Sequence, residues 1–150
     1  MTKLNKFFFT AFFALLFSSN SFATSEKEYI CSLPTVKFSI KSQQLNIRTA
    51  CTIEQLIKGL MDVRELPQNS GLIFAFNNSS ILKFWAKDTY IPLDIAYLNN
   101  KLQIVDIKTL KPLDRTTVSS TSPSMYALEV NAGWFKNNNI NVGDRLEIIK

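Results

Sequence analysis

Hydrophobic and polar residues alternate along the chain from residue 36. Val36, Phe38 and Ile40 alternate with polar residues, and Leu45 and Ile47 resume the alternation after a polar break. An alternation of period two places apolar side chains on one face of a β-strand. We therefore predict a hairpin of two strands with one solvent-facing side.

A helical spacing replaces this alternation at residues 53–60. The apolar residues between Ile53 and Leu60 recur at intervals of three and four. Thr52, with Gln55 three residues later, has the pattern of a capping box at a helix N-terminus. One short helix is predicted here, and Gly59 weakens its end.

Short apolar segments bounded by turn residues fill the rest of the chain. They span residues 72–76, 81–85, 93–98, 102–107, 126–131 and 145–149. Asn99 and Asn100 suit a tight hairpin because asparagine tolerates positive φ. Residues 108–123 form a long polar loop. About eight short strands against one clear helix, with a second helical turn near Trp134, predict a mainly β fold: a compact sandwich or partly closed barrel.

The N-terminus has the layout of a secretory signal peptide. Lys3 and Lys6 precede an apolar run at residues 7–17, and Ser21 and Ala23 are the small residues that signal peptidase requires. The run is shorter than the roughly 18 residues of a membrane-spanning helix. We predict cleavage of residues 1–23 and export to the periplasm or medium, with no membrane anchor remaining. An uncleaved anchor is the alternative.

Removing residues 1–23 from 150 leaves 127, which suits a single domain at 24–150. The 17 basic residues include Lys3 and Lys6, so 15 remain against 12 acids, a net charge of +3. This modest charge, together with export, argues against nucleic acid as a partner.

Cys31 and Cys51 are the two cysteines of the chain. Export permits a disulfide between them, which would attach the N-terminus of the mature chain to the domain. Alternatively, Cys51 is a small buried residue and Cys31 is a free thiol. The chain contains no histidine, so a catalytic thiol would lack its usual base and a zinc site would lack a common ligand. We predict no metal and no cofactor.

Several blocks occur in an order that resembles one exported bacterial family. They are Gly59 to Met61, Arg64 with Leu66-Pro67, Gly71 with Phe74 and Phe76, FWAKDTYIPLDIAYLN from Phe84, YALEVNAGW from Tyr126, and VGD from Val142. Over about residues 47–149 the chain is similar to the domain of unknown function 192 family. The resemblance implies a compact β-sandwich or barrel with a short helix, and it implies no reaction.

Three positions depart from the pattern of that family. Leu72 and Ala86 stand where methionine is common, and Asp88 stands where asparagine is common. A missing methionine at Ala86 either opens a space or is compensated by a neighbour. We expect the four glycines in these blocks to serve backbone geometry at turns and helix ends: Gly59, Gly71, Gly133 and Gly143.

Six side chains in these blocks are candidates for a ligand-binding site: Arg64, Trp85, Lys87, Asp88, Asp94 and Glu129. Strand alternation places Asp94 on the same face as Ala96, and Glu129 on the same face as Ala127. A small neighbour leaves room beside each carboxylate for a bulky partner or a ligand. A semi-buried charge needs such a partner.

Two interpretations of these charges stay open. In the structural one, Arg64 forms an internal ion pair with Asp94 or Glu129 that stabilises the fold. In the functional one, the six residues line a pocket for a small polar ligand or glycan. Alone, Trp85 is typical of a core residue and Lys87 of a solvated one.

The leading hypothesis is a non-enzymatic exported envelope protein that binds a small polar ligand or glycan, or serves as an accessory domain for an envelope protein. One alternative is a small periplasmic hydrolase that uses two of Asp88, Asp94 and Glu129 as a carboxylate pair. Another is a purely structural interaction protein. No catalytic residue is assigned, because no spacing in the sequence identifies a pair.

Overall fold

The computed structural model describes residues 25–150, so the predicted signal peptide lies outside the described residues. The described part forms nine strands and three helices. In chain order they are α1 (Glu26–Cys31), β1 (Thr35–Ile40), β2 (Gln43–Ala50), α2 (Ile53–Lys58), β3 (Ser70–Ser80), β4 (Lys83–Phe84), β5 (Leu93–Leu98), β6 (Ile104–Leu110), β7 (Val118–Ser119), β8 (Ser124–Asn131), α3 (Trp134–Asn137) and β9 (Glu147–Ile149). The predicted mainly β class is confirmed. No helix in residues 25–150 is long and apolar enough to cross a membrane.

Seven strands form one sheet in the order β6-β5-β8-β3-β2-β1-β9, while β4 and β7 form a separate ribbon. Neighbours in the large sheet are antiparallel except β2 and β3, which are parallel. Parallel strands need a crossover connection, and the segment containing α2 supplies it. At the C-terminus, β9 pairs with β1 at one edge, and Arg145 bridges to Gln103 beside β6 at the other. The sheet is therefore not a closed barrel, but one segment contacts both of its edges.

Each face of the sheet carries its own hydrophobic core. Paired neighbours share a face, so Asp94 lies on the same side as its partner Val130, while Glu129 lies on the side of its partners Leu72 and Ile95. The Val130 side packs α1, α3 and the C-terminal segment against the sheet. The Leu72 side packs against α2, the loop after it and the β4–β7 ribbon. The predicted alternation within β5 and β8 is confirmed, and the two acids lie on opposite faces.

The predicted disulfide between Cys31 and Cys51 is present, with the two Cα atoms 5.8 Å apart. It joins the end of α1 to the end of β2. The sequence prediction missed α1, although Ser25 and Glu28 form a capping box there, as Thr52 and Gln55 do at α2. The disulfide is compatible with an exported protein.

Three local predictions need correction. In the β5–β6 turn, positive φ falls on Leu102 (57°), and the Asn99 side chain accepts hydrogen bonds from the backbone N–H groups of Lys101 and Gln103. The polar stretch 108–123 is not one loop, because β6 extends through it to residue 110 and β7 pairs with β4. Gly71 is not at a turn: it lies inside β3, where the backbone of β8 passes too close for a side chain.

Candidate functional site

A cavity of about 410 Å³ lies on the Leu72 face of the sheet, between α2, β3 and β4. We call it the Glu129 cavity. Its apolar walls include Leu56, Leu60, Met61, Phe74, Phe76 and Phe84. Glu129 on β8 forms the floor and is 4% exposed. Lys58, Lys83, Trp85 and Lys87 lie around the mouth.

Burial determines the protonation of Glu129. Its cross-strand neighbours Leu72 and Ile95 are both apolar, and burial raises the pKa of the carboxyl from 4.5 to about 8. The carboxyl group is therefore mainly uncharged at pH 7. No ion pair within residues 25–150 includes it. It offers one hydrogen-bond donor and an acceptor to an occupant of the cavity.

The carboxyl of Glu129 is free and faces the cavity. Its side-chain oxygens accept no hydrogen bond from another described residue. Every side-chain oxygen in residues 25–150 that is fully enclosed by protein atoms does have a hydrogen-bond partner. The Glu129 oxygens are therefore not fully enclosed, and they are accessible from the cavity that Glu129 lines. A polar group in this position is satisfied by whatever fills the cavity, whether water or ligand.

Aromatic side chains form one wall of the cavity. The Phe84 ring makes edge contacts with Phe74, Phe76 and Tyr97, at centroid distances of 4.8, 6.3 and 5.9 Å. The next residue, Trp85, points outward and is 48% exposed. Trp85 is thus not a core residue: its ring lies at the mouth, and the Lys87 ammonium is 5.9 Å from the ring centroid.

Backbone hydrogen bonds hold the loop that carries Trp85 and Lys87. The Asp88 carbonyl accepts from the Asp62 N–H at 2.8 Å, and the Thr89 carbonyl accepts from the Leu113 N–H at 2.9 Å. Asp88 has a φ of 53°. Asparagine and aspartate both tolerate this left-handed conformation, which explains why either residue fits here. The Asp88 carboxylate lies 3.6 Å from the Lys87 ammonium.

Three of the six predicted residues do not line the cavity: Asp88, which is next to Lys87 in the loop after β4, and Asp94 and Arg64. Asp94, on the opposite face of the sheet, accepts hydrogen bonds from the Thr109 hydroxyl at 2.8 Å and the Gly133 N–H at 2.7 Å. The Arg64 guanidinium lies 4.1 Å from the ring centroid of Tyr90. The internal ion pair of Arg64 with Asp94 or Glu129 is not formed among the described residues. Asp94 is a buried structural group, satisfied by its own neighbours.

The cavity also contains residues that the sequence interpretation passed over. Lys58 is the last residue of α2 and Lys83 the first of β4. Each looks like an ordinary surface lysine in the sequence. The alternation of Phe74 and Phe76 in the apolar part of β3 was an available signal for the aromatic wall. The sequence near these residues did not indicate which carboxylate the aromatic wall would face.

Ala86 lines a second cavity, of about 210 Å³, together with Leu110 and Val118. Ala86 itself is buried, at 2% exposed. Open space is therefore present beside Ala86, in agreement with the first of the two alternatives for this position.

We expect Ala86→Met to raise the free energy of unfolding by about 1 kcal/mol, because the longer side chain fills that space. Urea unfolding of the variant measures the gain. Ala75→Met is the matched control: Ala75 is equally buried but lines neither cavity, so overpacking should destabilise by about 1–3 kcal/mol. A loss of stability in Ala86→Met as large as in the control would contradict this assignment of the space.

Comparison with known proteins places this fold in a family. The sequence model of domain of unknown function 192, described as "Uncharacterized ACR", matches residues 36–148. A candidate transcription regulator from Sinorhizobium meliloti 1021 is 30% identical, with a TM-score of 0.71 over 76% of this chain and 92% of that chain. A protein of unknown function from Novosphingobium aromaticivorans is also 30% identical, with a TM-score of 0.70 over 75% and 84%. No curated protein matches. With a match that covers most of its length, this chain belongs to the domain of unknown function 192 family.

Proposed function

We propose that this protein is an exported, non-enzymatic binding domain that holds a small ring-bearing polar ligand, such as a saccharide unit, in the Glu129 cavity. One observation carries the proposal: a buried carboxyl group with no ion-pair partner among residues 25–150 lines an aromatic-walled cavity.

The size and lining of the cavity support a small ligand. Its volume of about 410 Å³ falls within the usual range of roughly 300–1,000 Å³ for ligand pockets. Such pockets combine mostly apolar walls with a few well-placed polar groups. Here leucine, methionine and phenylalanine supply apolar walls, and the polar lining residues are Lys58, Lys83, Lys87, Thr89 and Glu129.

The protonated state of Glu129 indicates what it would bind. A neutral carboxylic acid can donate one hydrogen bond and accept others, which matches a hydroxyl or amide group. Aromatic faces such as those of Phe84 and Trp85 suit the apolar face of a ring. A ligand that supplies both features would satisfy the free carboxyl and fill the apolar space.

A carboxylate-pair hydrolase is the second candidate, because a raised pKa is what a general acid needs. Glycoside hydrolysis generally uses two carboxyl groups that flank the scissile bond. Among the described residues that line the cavity, Glu129 is the one acid. Asp94 lies on the far side of the sheet. The geometry therefore favours binding over hydrolysis.

Thermal unfolding in the presence of neutral and acidic saccharides tests the proposal. A ligand at about 100 times its Kd should stabilise the protein by roughly 2.7 kcal/mol. Glu129→Leu removes the polar group and fits between Leu72 and Ile95, so it should fold and lose at least about fivefold in affinity. Glu65→Gln, at an exposed acid outside the cavity, should bind normally.

Chromatography of the saccharide after incubation separates the two candidates. Recovery of intact saccharide from a stabilised protein supports a binding domain, whereas cleaved product supports the hydrolase. Ligand stabilisation that survives unchanged in Glu129→Leu would contradict both, because it would locate binding elsewhere.

A further inference from the structure

Three lysines line the Glu129 cavity, each from a different element. Lys58 ends α2, Lys83 begins β4, and Lys87 lies in the loop after β4. The single acid in the lining, Glu129, is uncharged at neutral pH. The lining therefore carries three positive charges, and the acids that pair with two of them, Asp62 and Asp88, lie outside the lining.

The existing partners of these lysines are exposed and exchangeable. Lys58 pairs with Asp62 one helical turn on, and Lys87 lies 3.6 Å from Asp88. The side chains in both pairs are about one-third to two-thirds exposed, and ion pairs of this kind contribute little to stability. Lys83 forms no ion pair within residues 25–150. An anion at the mouth could therefore recruit all three at small cost.

The lysines and Glu129 are separate points of recognition. None of the three lysines pairs with the Glu129 carboxyl, and burial alone accounts for the raised pKa of that group. One end of an occupant would meet ammonium groups at the surface, and the other would meet a neutral acid at the floor. Its ring would lie between them, beside Phe84 and Trp85.

We infer that the ligand is an acidic sugar, whose carboxylate or phosphate binds Lys58, Lys83 and Lys87 at the mouth while an uncharged hydroxyl or amide reaches Glu129. This inference rests on the proposed function and adds the ligand's charge to it. Ammonium groups bind carboxylates and phosphates through charge-assisted hydrogen bonds, which are stronger than neutral ones.

Isothermal titration calorimetry with three related sugars tests the inference. N-acetylglucosamine is neutral, N-acetylmuramic acid adds a carboxylate, and N-acetylglucosamine 1-phosphate adds a phosphate. We expect at least one acidic sugar to bind about tenfold more tightly than the neutral one at low salt, and the advantage to shrink at high salt. The preferred acidic sugar distinguishes a carboxylate ligand from a phosphate ligand.

Lysine variants show whether the preference arises at this mouth. Lys83→Gln should weaken the acidic sugar about fivefold and leave the neutral sugar unchanged. Lys101→Gln, at an exposed lysine in the β5–β6 turn, should change neither. Equal affinity for neutral and acidic sugars would overturn the inference while leaving the proposed function in place. If none of the three sugars binds, both the inference and the proposed saccharide-binding function are overturned.

Discussion

The free energy of unfolding should fall by about 4 kcal/mol between pH 5 and pH 9, and Glu129→Gln should remove most of that fall. Glu129 has a pKa of 4.5 in its ordinary state and about 8 in the fold. Between these values the folded state binds more protons than the unfolded state, so stability is lost as pH rises. Each pKa unit corresponds to about 1.4 kcal/mol, and the roughly three units between pH 5 and the pKa of about 8 give about 4 kcal/mol.

Few other groups are expected to change their protonation between pH 5 and pH 9. The chain has no histidine, and both cysteines are in the disulfide. The groups that share the cavity side with Glu129 are Lys58, Lys83, Lys87 and, on β5, Tyr97. Burial and the nearby acids Asp106 and Glu129 raise the pKa of Tyr97, so it stays neutral here. Lowered pKa values keep Glu54, Asp62, Asp114 and Asp144 ionised throughout.

Urea unfolding at pH 5, 7 and 9 measures this effect in the parent protein, Glu129→Gln and the exposed control Glu65→Gln. The control should follow the parent, and Glu129→Gln should be the most stable of the three at pH 9. If the parent were equally stable at pH 5 and pH 9, Glu129 would be ionised in the fold, and the neutral acid at the floor of the cavity would be ruled out.

Gly71→Ala should destabilise the protein by about 3 kcal/mol or more. A Cβ at Gly71 would lie 2.2 Å from the backbone oxygen of Glu129, and 3.1 and 3.2 Å from side-chain atoms of Val130 and Ile47. The first contact cannot be relieved by a side-chain rotation, because the atom belongs to the backbone of the paired strand β8. Separating β3 from β8 breaks the centre of the sheet and moves the floor of the cavity.

Denaturant unfolding measures this loss, with Gly143→Ala as the control. A Cβ at Gly143 meets nothing within 4 Å, but its φ of 96° disfavours alanine, so a loss of about 1 kcal/mol is expected. A Gly71→Ala variant no less stable than Gly143→Ala would mean that β3 and β8 are farther apart than described here.

Local patterns predicted the elements of this fold better than the relations between them. The Thr52 capping box, the hairpin of β1 and β2, and the alternating faces of β5 and β8 each depend on residues close together in the chain. Asp94 and Glu129 were correctly placed beside Ala96 and Ala127. Whether the two acids share a face depends on the β5–β8 register, which pairs Asp94 with Val130 and follows from long-range packing.

The same limit applies to the site. Trp85, Lys87 and Glu129 could be singled out because each departs from its apolar surroundings. Lys58 and Lys83 become part of the site because the β2–β3 crossover places α2 beside β4. The local sequence of neither segment predicts that the two lie side by side. An ion pair of Arg64 with a buried acid was one of the two interpretations left open by the sequence. Stacking on Tyr90 instead lets the guanidinium stay at the surface without the desolvation cost of a buried ion pair.

The two tryptophans allow the central claim to be tested in one spectrum. Trp85 lies at the mouth of the Glu129 cavity, whereas Trp134 is 3% exposed on the opposite face and donates a hydrogen bond to Asn69 at 3.0 Å. We would titrate N-acetylmuramic acid and N-acetylglucosamine 1-phosphate separately into ¹⁵N-labelled protein and record the two indole N–H signals. We expect a saturable shift of the Trp85 signal with Trp134 unmoved, and we expect Glu129→Leu to need at least about fivefold more sugar for the same shift. A shift confined to Trp134, or none in either signal at saturating sugar, would contradict a saccharide site in the cavity.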